Sequence, residues 1–426
     1  MGHFLLLIYS LLAPAIAGLY ALFFLLSPRR ALMRGLGGEL GERLGDGAPD
    51  FASRPLWVHA ASVGEVRAVS RLAPELAARL GAPLFFTSST AAGRAEALKT
   101  GAEARLAPLD LYPLTAAFVA RLRPRLLLLV ETEIWPATLY SAANAHVPVF
   151  FVNARISPGT ARLYRFLGPF TRLAFTGVRG VLAQSQADAD RFSALPGLAG
   201  KVLVTGNLKH DLLGAAAGGA GQVKGFVSAS GWGDAPIFTA GSTHPPEEPA
   251  ILDAWLKARE KVPGLKLVLV PRHLERLGET EALLKGRGVG FTRWSRAAAG
   301  VEDCLLVDAM GLLQAFYSVS AVCFVGGTLD DTGGHNLLEP ALFGRPALFG
   351  PNYRNAGQAG DALIKEKGGF LVETASQMAG NLVRLLTDPA ALSAAQANSS
   401  KTLSSLKGAT ERTVSAILQA RAGRTA

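Results

Sequence analysis

Leu126-Leu-Leu-Leu-Val130 runs directly into Glu131-Thr-Glu133-Ile-Trp135-Pro136. Five aliphatic residues without polar alternation suit a strand buried on both faces, as in the middle of a parallel sheet. Two carboxylates straight after it would stand at the carboxyl end of that strand, where open parallel sheets place their ligands. One stretch thus points to the fold class and to the sheet edge that should carry chemistry.

Outward from it, apolar runs alternate with amphipathic ones. Strands are expected at 56–60, 83–87, 126–130, 147–152, 180–183 and 202–205, with helices at 66–80 and 91–100. Such alternation predicts an α/β fold with a parallel, doubly wound sheet. Composition then shifts to Gly, Ala and Ser over 213–233, and the pattern restarts. Further strands are expected at 236–240, 265–270, 305–307, 321–325 and 347–349, with a helix at 249–261 and a helical tail over about 378–420. The reading is of two α/β domains, 29–212 and 236–426, joined by a linker region at 213–235, with room for the last helix to pack back on the first domain. Their interface is the natural place for a ligand cleft.

The chain opens with an uncharged run from Phe4 to Ser27, followed by Arg29, Arg30 and Arg34. A helix of roughly 24 apolar residues rises about 36 Å, enough to cross a hydrocarbon core of about 30 Å. A cleaved signal peptide would carry its basic residues before the apolar run. Residues 1–28 are therefore expected to anchor the chain, by spanning or by lying in the interface. The cations after the run place the bulk of the chain at the cytoplasmic side of the inner (plasma) membrane.

The 426 residues are 49% hydrophobic and carry 43 Lys and Arg against 33 Asp and Glu, a net charge of +10. Nucleic acid is not an expected partner: no helix-turn-helix, zinc-finger or aromatic RNA-binding signature is present, and the basic residues are scattered. Attraction to membrane lipids with anionic headgroups is the simpler meaning of that charge. Cys304 and Cys323 stand in apolar contexts without metal-ligand spacing and read as buried, reduced thiols. No metal-binding cluster is visible, so neither a metal nor another cofactor is expected.

Polar residues just after each strand carry the candidate chemistry. Ser62-Val-Gly-Glu65 reads as a capping box and equally as a carboxylate poised for general-base work. Glu131 follows the most apolar strand. Lys209, in Gly206-Asn-Leu-Lys209-His-Asp211, could neutralise a carboxylate or phosphate. Ala240-Gly-Ser242-Thr243-His244 enters a helix, where backbone N–H groups and the helix dipole suit a phosphate. Arg272, after the strand at 265–270, could grip a phosphate in bidentate fashion. Gly326-Gly-Thr-Leu-Asp-Asp-Thr-Gly333-Gly334-His335-Asn336-Leu337-Leu338-Glu339-Pro340 is the strongest signal. Its paired glycines allow close backbone approach to a nucleotide, and a helix is expected from Asn336. The spacing matches neither the dinucleotide nor the P-loop fingerprint, which argues against hydride transfer and NTP hydrolysis.

Taken together and in order, these segments resemble the Kdo (3-deoxy-D-manno-octulosonic acid) transferases, membrane-anchored sugar transferases of lipopolysaccharide assembly. The matching pieces are Gly41-Glu-Arg-Leu-Gly45, Ser62-Val-Gly-Glu65, Glu131-Thr-Glu-Ile-Trp-Pro136, Asn153-Ala-Arg-Ile-Ser157, Gly206-Asn-Leu-Lys-His-Asp211, Ser242-Thr-His244, Val270-Pro-Arg-His273 and Gly333-Gly-His-Asn-Leu-Leu-Glu-Pro340. The resemblance implies a GT-B fold, two Rossmann-like domains with an interdomain cleft. It implies transfer of Kdo from CMP-Kdo to a lipid A precursor, lipid IVA, without a bound metal. It makes Glu65 the general base, with Glu131 and Lys209 stabilising the transition state. Ser242, Thr243, Pro271, Arg272, the turn Met310-Gly311-Leu312, and Asn336, Leu337, Leu338 and Glu339 would hold CMP. The chain departs from the family at Leu312, where an acidic residue is usual, and at Asp331 and Thr332, where a basic one is usual. Two other readings remain open on the residues: a GT-B transferase or epimerase that uses a UDP-sugar, which Glu339-Pro340 also suits, and a non-catalytic membrane-bound binding protein.

Overall fold

The computed structural model describes Tyr9 and residues 39–45, 49–214, 218–297 and 301–422. Apart from Tyr9, the apolar run at 4–27 lies outside the described residues, as do Arg29, Arg30 and Arg34. Tyr9 is held at two points: its hydroxyl donates to Asp110 Oδ2 at 3.1 Å, and its ring centroid lies 6.1 Å from that of Phe170. Among the described residues no helix is long and apolar enough to cross a membrane.

The chain forms two compact units. The first comprises Met1–Leu212 and Lys407–Ala426. Among its described residues are β1 (Leu56–His59), β2 (Leu84–Ser88), β3 (Glu103–Leu106), β4 (Leu126–Val130), β5 (Val149–Ala154), β6 (Val178–Ala183) and β7 (Val202–Val204). They form one parallel sheet in the order β3-β2-β1-β4-β5-β6-β7. The strand read from the apolar run is central: Leu56 to His59 of β1 face Leu126 to Leu129 of β4. Because side chains alternate, Leu127 and Leu129 enter one core with Trp57 and Phe151, while Leu126, Leu128 and Val130 enter the other with Val58 and Val152. A polar residue at any of the five would be buried, which is why the run is unbroken.

The helix expected at 66–80 is two helices, Val63–Ala68 and Leu72–Leu80. Pro74 is the cause: it has no N–H to give and its ring would strike the carbonyl four residues back, so a helix can begin just before it but not run through it. The last helix, Ala409–Ala422, belongs to this unit and buries Ala409, Val414 and Ile417 in its second core. Asp211 fastens its start by accepting from the N–H of Gly408 at 2.7 Å and of Thr410 at 2.6 Å.

The second unit, Leu213–Leu406, holds β8 (Ile237–Thr243), β9 (Lys266–Pro271), β10 (Phe291–Arg293), β11 (Cys304–Leu306), β12 (Val322–Val325), β13 (Ala347–Phe349) and β14 (Gly369–Leu371). This sheet is also parallel, in the order β10-β11-β9-β8-β12-β13-β14. Within the region read as a linker, the described residues 213–214 and 218–235 belong to this unit. They contain the helix Ala220–Ala229, and Val223 and Trp232 pack with Val268, Val270 and Phe316 of this unit. Phe226 and Val227 pack against the same cluster. Cys304 and Cys323 are free and buried, and burial pushes the Cys304 thiol up to about 12.

Strand order reverses between β1 and β4 in the first unit and between β8 and β12 in the second. Carboxyl ends at such switch points are where doubly wound sheets bind ligands.

Candidate active site

At the first switch point the chain leaves β1 and turns into Val63–Ala68 with Ser62 as N-cap. The Ser62 hydroxyl accepts from the Glu65 N–H at 3.4 Å and donates to Glu65 Oε1 at 3.2 Å, while the Ala61 N–H donates to Glu65 Oε2 at 2.9 Å. Glu65 is thus the capping residue that the motif suggests, and the same bonds fix its carboxylate. Burial raises its pKa above the usual carboxylate value. The Ala61 N–H works against that rise, and the charges of Glu133 and Glu131 add to it. A carboxylate in that condition is a better proton acceptor than one in water.

Glu131 follows β4, is 7% exposed and has a left-handed backbone, φ 58°. Lys209 Nζ donates to its Oε1 at 2.7 Å, and Arg155 Nε lies 3.1 Å from its Oε2. The geometry has a traceable origin. Asn153, at the end of β5 and also left-handed at φ 53°, accepts from the Leu208 N–H at 2.9 Å. Asn207 caps the short helix Leu208–Asp211 by accepting from the Lys209 N–H at 3.0 Å. Those two side chains fix where Lys209 begins.

Sequence reasoning missed Arg155 and His59, and it marked Glu133 as a strand-end carboxylate without a partner. Arg155 sits inside a matching motif but was assigned no role there. Glu133 accepts from Trp135 Nε1 at 2.7 Å, and its Oε2 lies 3.4 Å from His59 Nε2. Burial pushes Glu133 up, but the hydrogen bond from His59, the His59 charge and the Trp135 bond outweigh it and hold it below the usual range. His59 Nδ1 in turn meets Thr87 Oγ1 at 3.0 Å, and Thr87 also accepts from Trp57 Nε1 at 2.8 Å. A His at the end of an apolar strand signals nothing until β2 brings Thr87 alongside. The other buried carboxylate here, Asp110, is structural. It accepts from the N–H of Ala137 and Thr138 and from the Thr138 hydroxyl, so it caps the helix Pro136–Asn144.

The second unit has a cavity of about 390 Å³ at the carboxyl ends of β8, β9 and β12. Of the residues expected to hold a nucleotide, Ser242, Pro271, Arg272, Met310, Gly311, Asn336 and Glu339 line it. The others do not. Leu337 and Leu338 are fully buried in the core behind it. Leu312 packs toward the cluster of Trp232 and Phe316. Thr243 is 1% exposed, and its hydroxyl is spent on Glu248 Oε1 at 2.9 Å. Gln314 and Tyr317, which sequence reasoning did not single out, also line it, as does His335, which stands in the strongest motif but was assigned no role there. Burial, then the charges of His244 and Arg272, hold His335 down to about 4, so it enters the cavity neutral. Its Nε2 lies 2.9 Å from His244 Nε2. Burial raises Glu339, against the opposing pull of Asn336 and Arg272.

The glycine-rich loop is built differently from expectation. Its N–H groups at Gly327, Thr328 and Leu329 donate to the carboxylate of Glu247 at 2.7, 2.9 and 2.8 Å. Glu247 is fully buried. Backbone donors foreseen for a nucleotide are therefore satisfied from within the protein. The glycines serve the packing: a Cβ on Gly326 would lie 2.2 Å from the Ser242 carbonyl oxygen. Nor does a helix start at Asn336; a turn leads into a short 3-10 helix, Pro340–Phe343. Asn336 caps that turn by accepting from the Leu338 N–H at 3.2 Å.

Comparison with known proteins is consistent across the chain. Residues 38–212 match a family described as 3-deoxy-D-manno-octulosonic-acid transferase (kdotransferase). A 3-deoxy-D-manno-octulosonic acid transferase of Bordetella pertussis is 32% identical over 424 residues, covering 95% of this chain and 97% of the relative. One of Haemophilus influenzae is 31% identical over 322 residues, 74% of each chain. A solved glycosyltransferase from Rickettsia africae aligns over 87% of this chain and 99% of its own with a TM-score of 0.58 at 12% identity. That likeness speaks for the fold alone, two parallel-sheet α/β units of the GT-B kind.

Proposed function

The chain belongs to the 3-deoxy-D-manno-octulosonic acid transferase family, and we propose that it moves Kdo from CMP-Kdo to a lipid A precursor such as lipid IVA, with Glu65 as general base. The acceptor hydroxyl gives its proton to Glu65. Its oxygen bonds to the anomeric carbon of Kdo while the bond from that carbon to the CMP phosphate oxygen breaks, and CMP leaves with the electron pair. The single observation that carries this assignment is the state of Glu65: a carboxylate aimed by Ala61 and Ser62, at a switch point, with its proton affinity raised.

Glu131 and Lys209 stabilise the oxocarbenium-like centre and orient the reacting groups. Lys209 and Arg155 hold the two carboxylate oxygens of Glu131 in fixed positions. Arg272 meets the charge that develops on the CMP phosphate, so that no metal is needed for it, and Glu339 is placed for the ribose. Support for the donor assignment is the shared cavity of Arg272, Asn336 and Glu339. The uncharged run at 4–27 and the arginines after it hold the enzyme at the cytoplasmic face of the inner membrane, where a lipid acceptor lies. Incubation of the full chain with CMP-Kdo and lipid IVA, read by mass spectrometry, tests the reading. A product heavier by one or more Kdo groups is expected; no product, with binding of UDP in preference to CMP, would overturn it.

A further inference from the structure

The amino ends of the first unit's strands form the edge opposite to Glu65 and Glu131, and that edge holds a cavity of about 600 Å³. Arg54 lines it just before β1, Arg125 just before β4, His146 just before β5, Arg179 from β6 and Arg421 from the last helix. No Asp or Glu is among its lining residues. Lys201, just before β7, adds a further cation beside Arg179.

Helix capping accounts for part of this. Arg54 donates to the carbonyls of Arg123 at 3.2 Å and Pro124 at 2.9 Å, and Arg125 donates to that of Leu80 at 2.6 Å. Those carbonyls lie at or just past the C-terminal ends of the helices Tyr112–Leu122 and Leu72–Leu80, where positive charge is favourable. The same bonds aim the two guanidiniums and leave each with free N–H groups. Capping does not account for Arg179 or Arg421. Among the described residues neither side chain pairs with a carboxylate or donates a hydrogen bond. Burial and the charge of Arg125 hold Arg421 below its ordinary pKa; burial and the charge of Arg179 do the same to Lys201. Cations gathered without a counter-charge repel one another, and a bound anion removes that cost. Guanidinium forks match phosphate oxygens two at a time, and a cavity of this size admits a ligand of nucleotide or headgroup dimensions.

We propose that this cavity is a second ligand site, distinct from the candidate active site, that takes an anion carrying clustered phosphates. Such phosphates come from a free di- or triphosphate or from a phosphorylated lipid headgroup. Calorimetry on the full chain distinguishes them, with CMP present in excess so that the cavity of Arg272 is filled. Inorganic pyrophosphate should bind, and Arg179→Gln with Arg421→Gln should weaken it at least tenfold while CMP affinity stays unchanged. If pyrophosphate does not bind, but the preference for phosphatidic acid over phosphatidylcholine vesicles is lost in the double variant, the phosphates belong to lipid. Should Arg421→Gln loosen the last helix, Arg179→Gln alone, on an exposed side chain, should still cost about threefold. Wild type and variant that are alike toward both pyrophosphate and phosphatidic acid would overturn the proposal.

Discussion

Lys209 Nζ lies 2.7 Å from Glu131 Oε1, joining residues 78 apart in the sequence. Glu131 is nearly buried, whereas the Lys209 side chain is 45% exposed, so the pair has one side fixed by the fold and one open to a substrate. Arg155 closes on the other oxygen of the same carboxylate. Two cations thus fix the Glu131 carboxylate in place before any substrate arrives, which is what a group that must act on a developing charge requires.

Glu131→Gln and Lys209→Met should each lower kcat for Kdo transfer, and the double variant should lose little more than the worse single one. Groups in one network couple by about 0.5–3 kcal/mol. Strictly additive losses in a double-mutant cycle would mean the two act separately.

Glu65→Gln should reduce transfer by about a hundredfold to ten-thousandfold with CMP affinity unchanged. Its raised pKa gives two pH effects. Glu65 must be ionised to take a proton, so the acid limb of kcat/KM should fall at a higher pH than for an ordinary carboxylate. The folded chain also holds this proton more tightly than the unfolded one, so the ionised group opposes folding as pH rises through the raised value. The Tm of Glu65→Gln should therefore gain on wild type as pH rises, and a constant difference would contradict the assignment.

Arg272→Ala should raise the donor KM by about 10- to 100-fold, the loss expected for a charge-assisted phosphate contact. Acceptor KM should change little. A donor KM equal to that of wild type would remove Arg272 from the nucleotide site.

Glu247→Ala would leave the N–H groups of Gly327, Thr328 and Leu329 without their acceptor. A cost on the order of 3 kcal/mol is expected, since each buried donor left unpaired is expensive. Thermal unfolding should show a drop of several degrees; an unchanged Tm would mean water enters and satisfies the loop.

Removal of residues 1–28 should leave CMP binding intact and lower turnover on membrane-embedded acceptor more than on detergent-dispersed acceptor. Equal losses on both would show that the segment supports the fold, as the Tyr9 contact with Asp110 would then explain.

The central strands were legible because each must be apolar on both faces. Leu126–Val130 and Ala347–Phe349 were located to the residue. The missed strands, β3, β10 and β14, are all at sheet edges, short and without an aliphatic run. An edge strand is covered on one side only and has no reason to repeat that pattern.

Of the site, the sequence alone determined which residue types follow which strands, because a carboxylate cannot interrupt a buried run and so gathers where the run stops. It placed Glu65, Glu131 and Arg272 at strand ends without any contact being known. Tertiary structure decided how each is used. Glu247 and Glu248 are adjacent acids at the start of one helix, yet one is consumed by the loop at 327–329 and the other by Thr243 and Thr280. Arg54, Arg125, Arg179 and Arg421 are scattered in sequence and become neighbours at one edge. Hydrogen-bond partners and charge neighbours come from strand order and from the return of the last helix. Both are set by long-range burial, which no local pattern records.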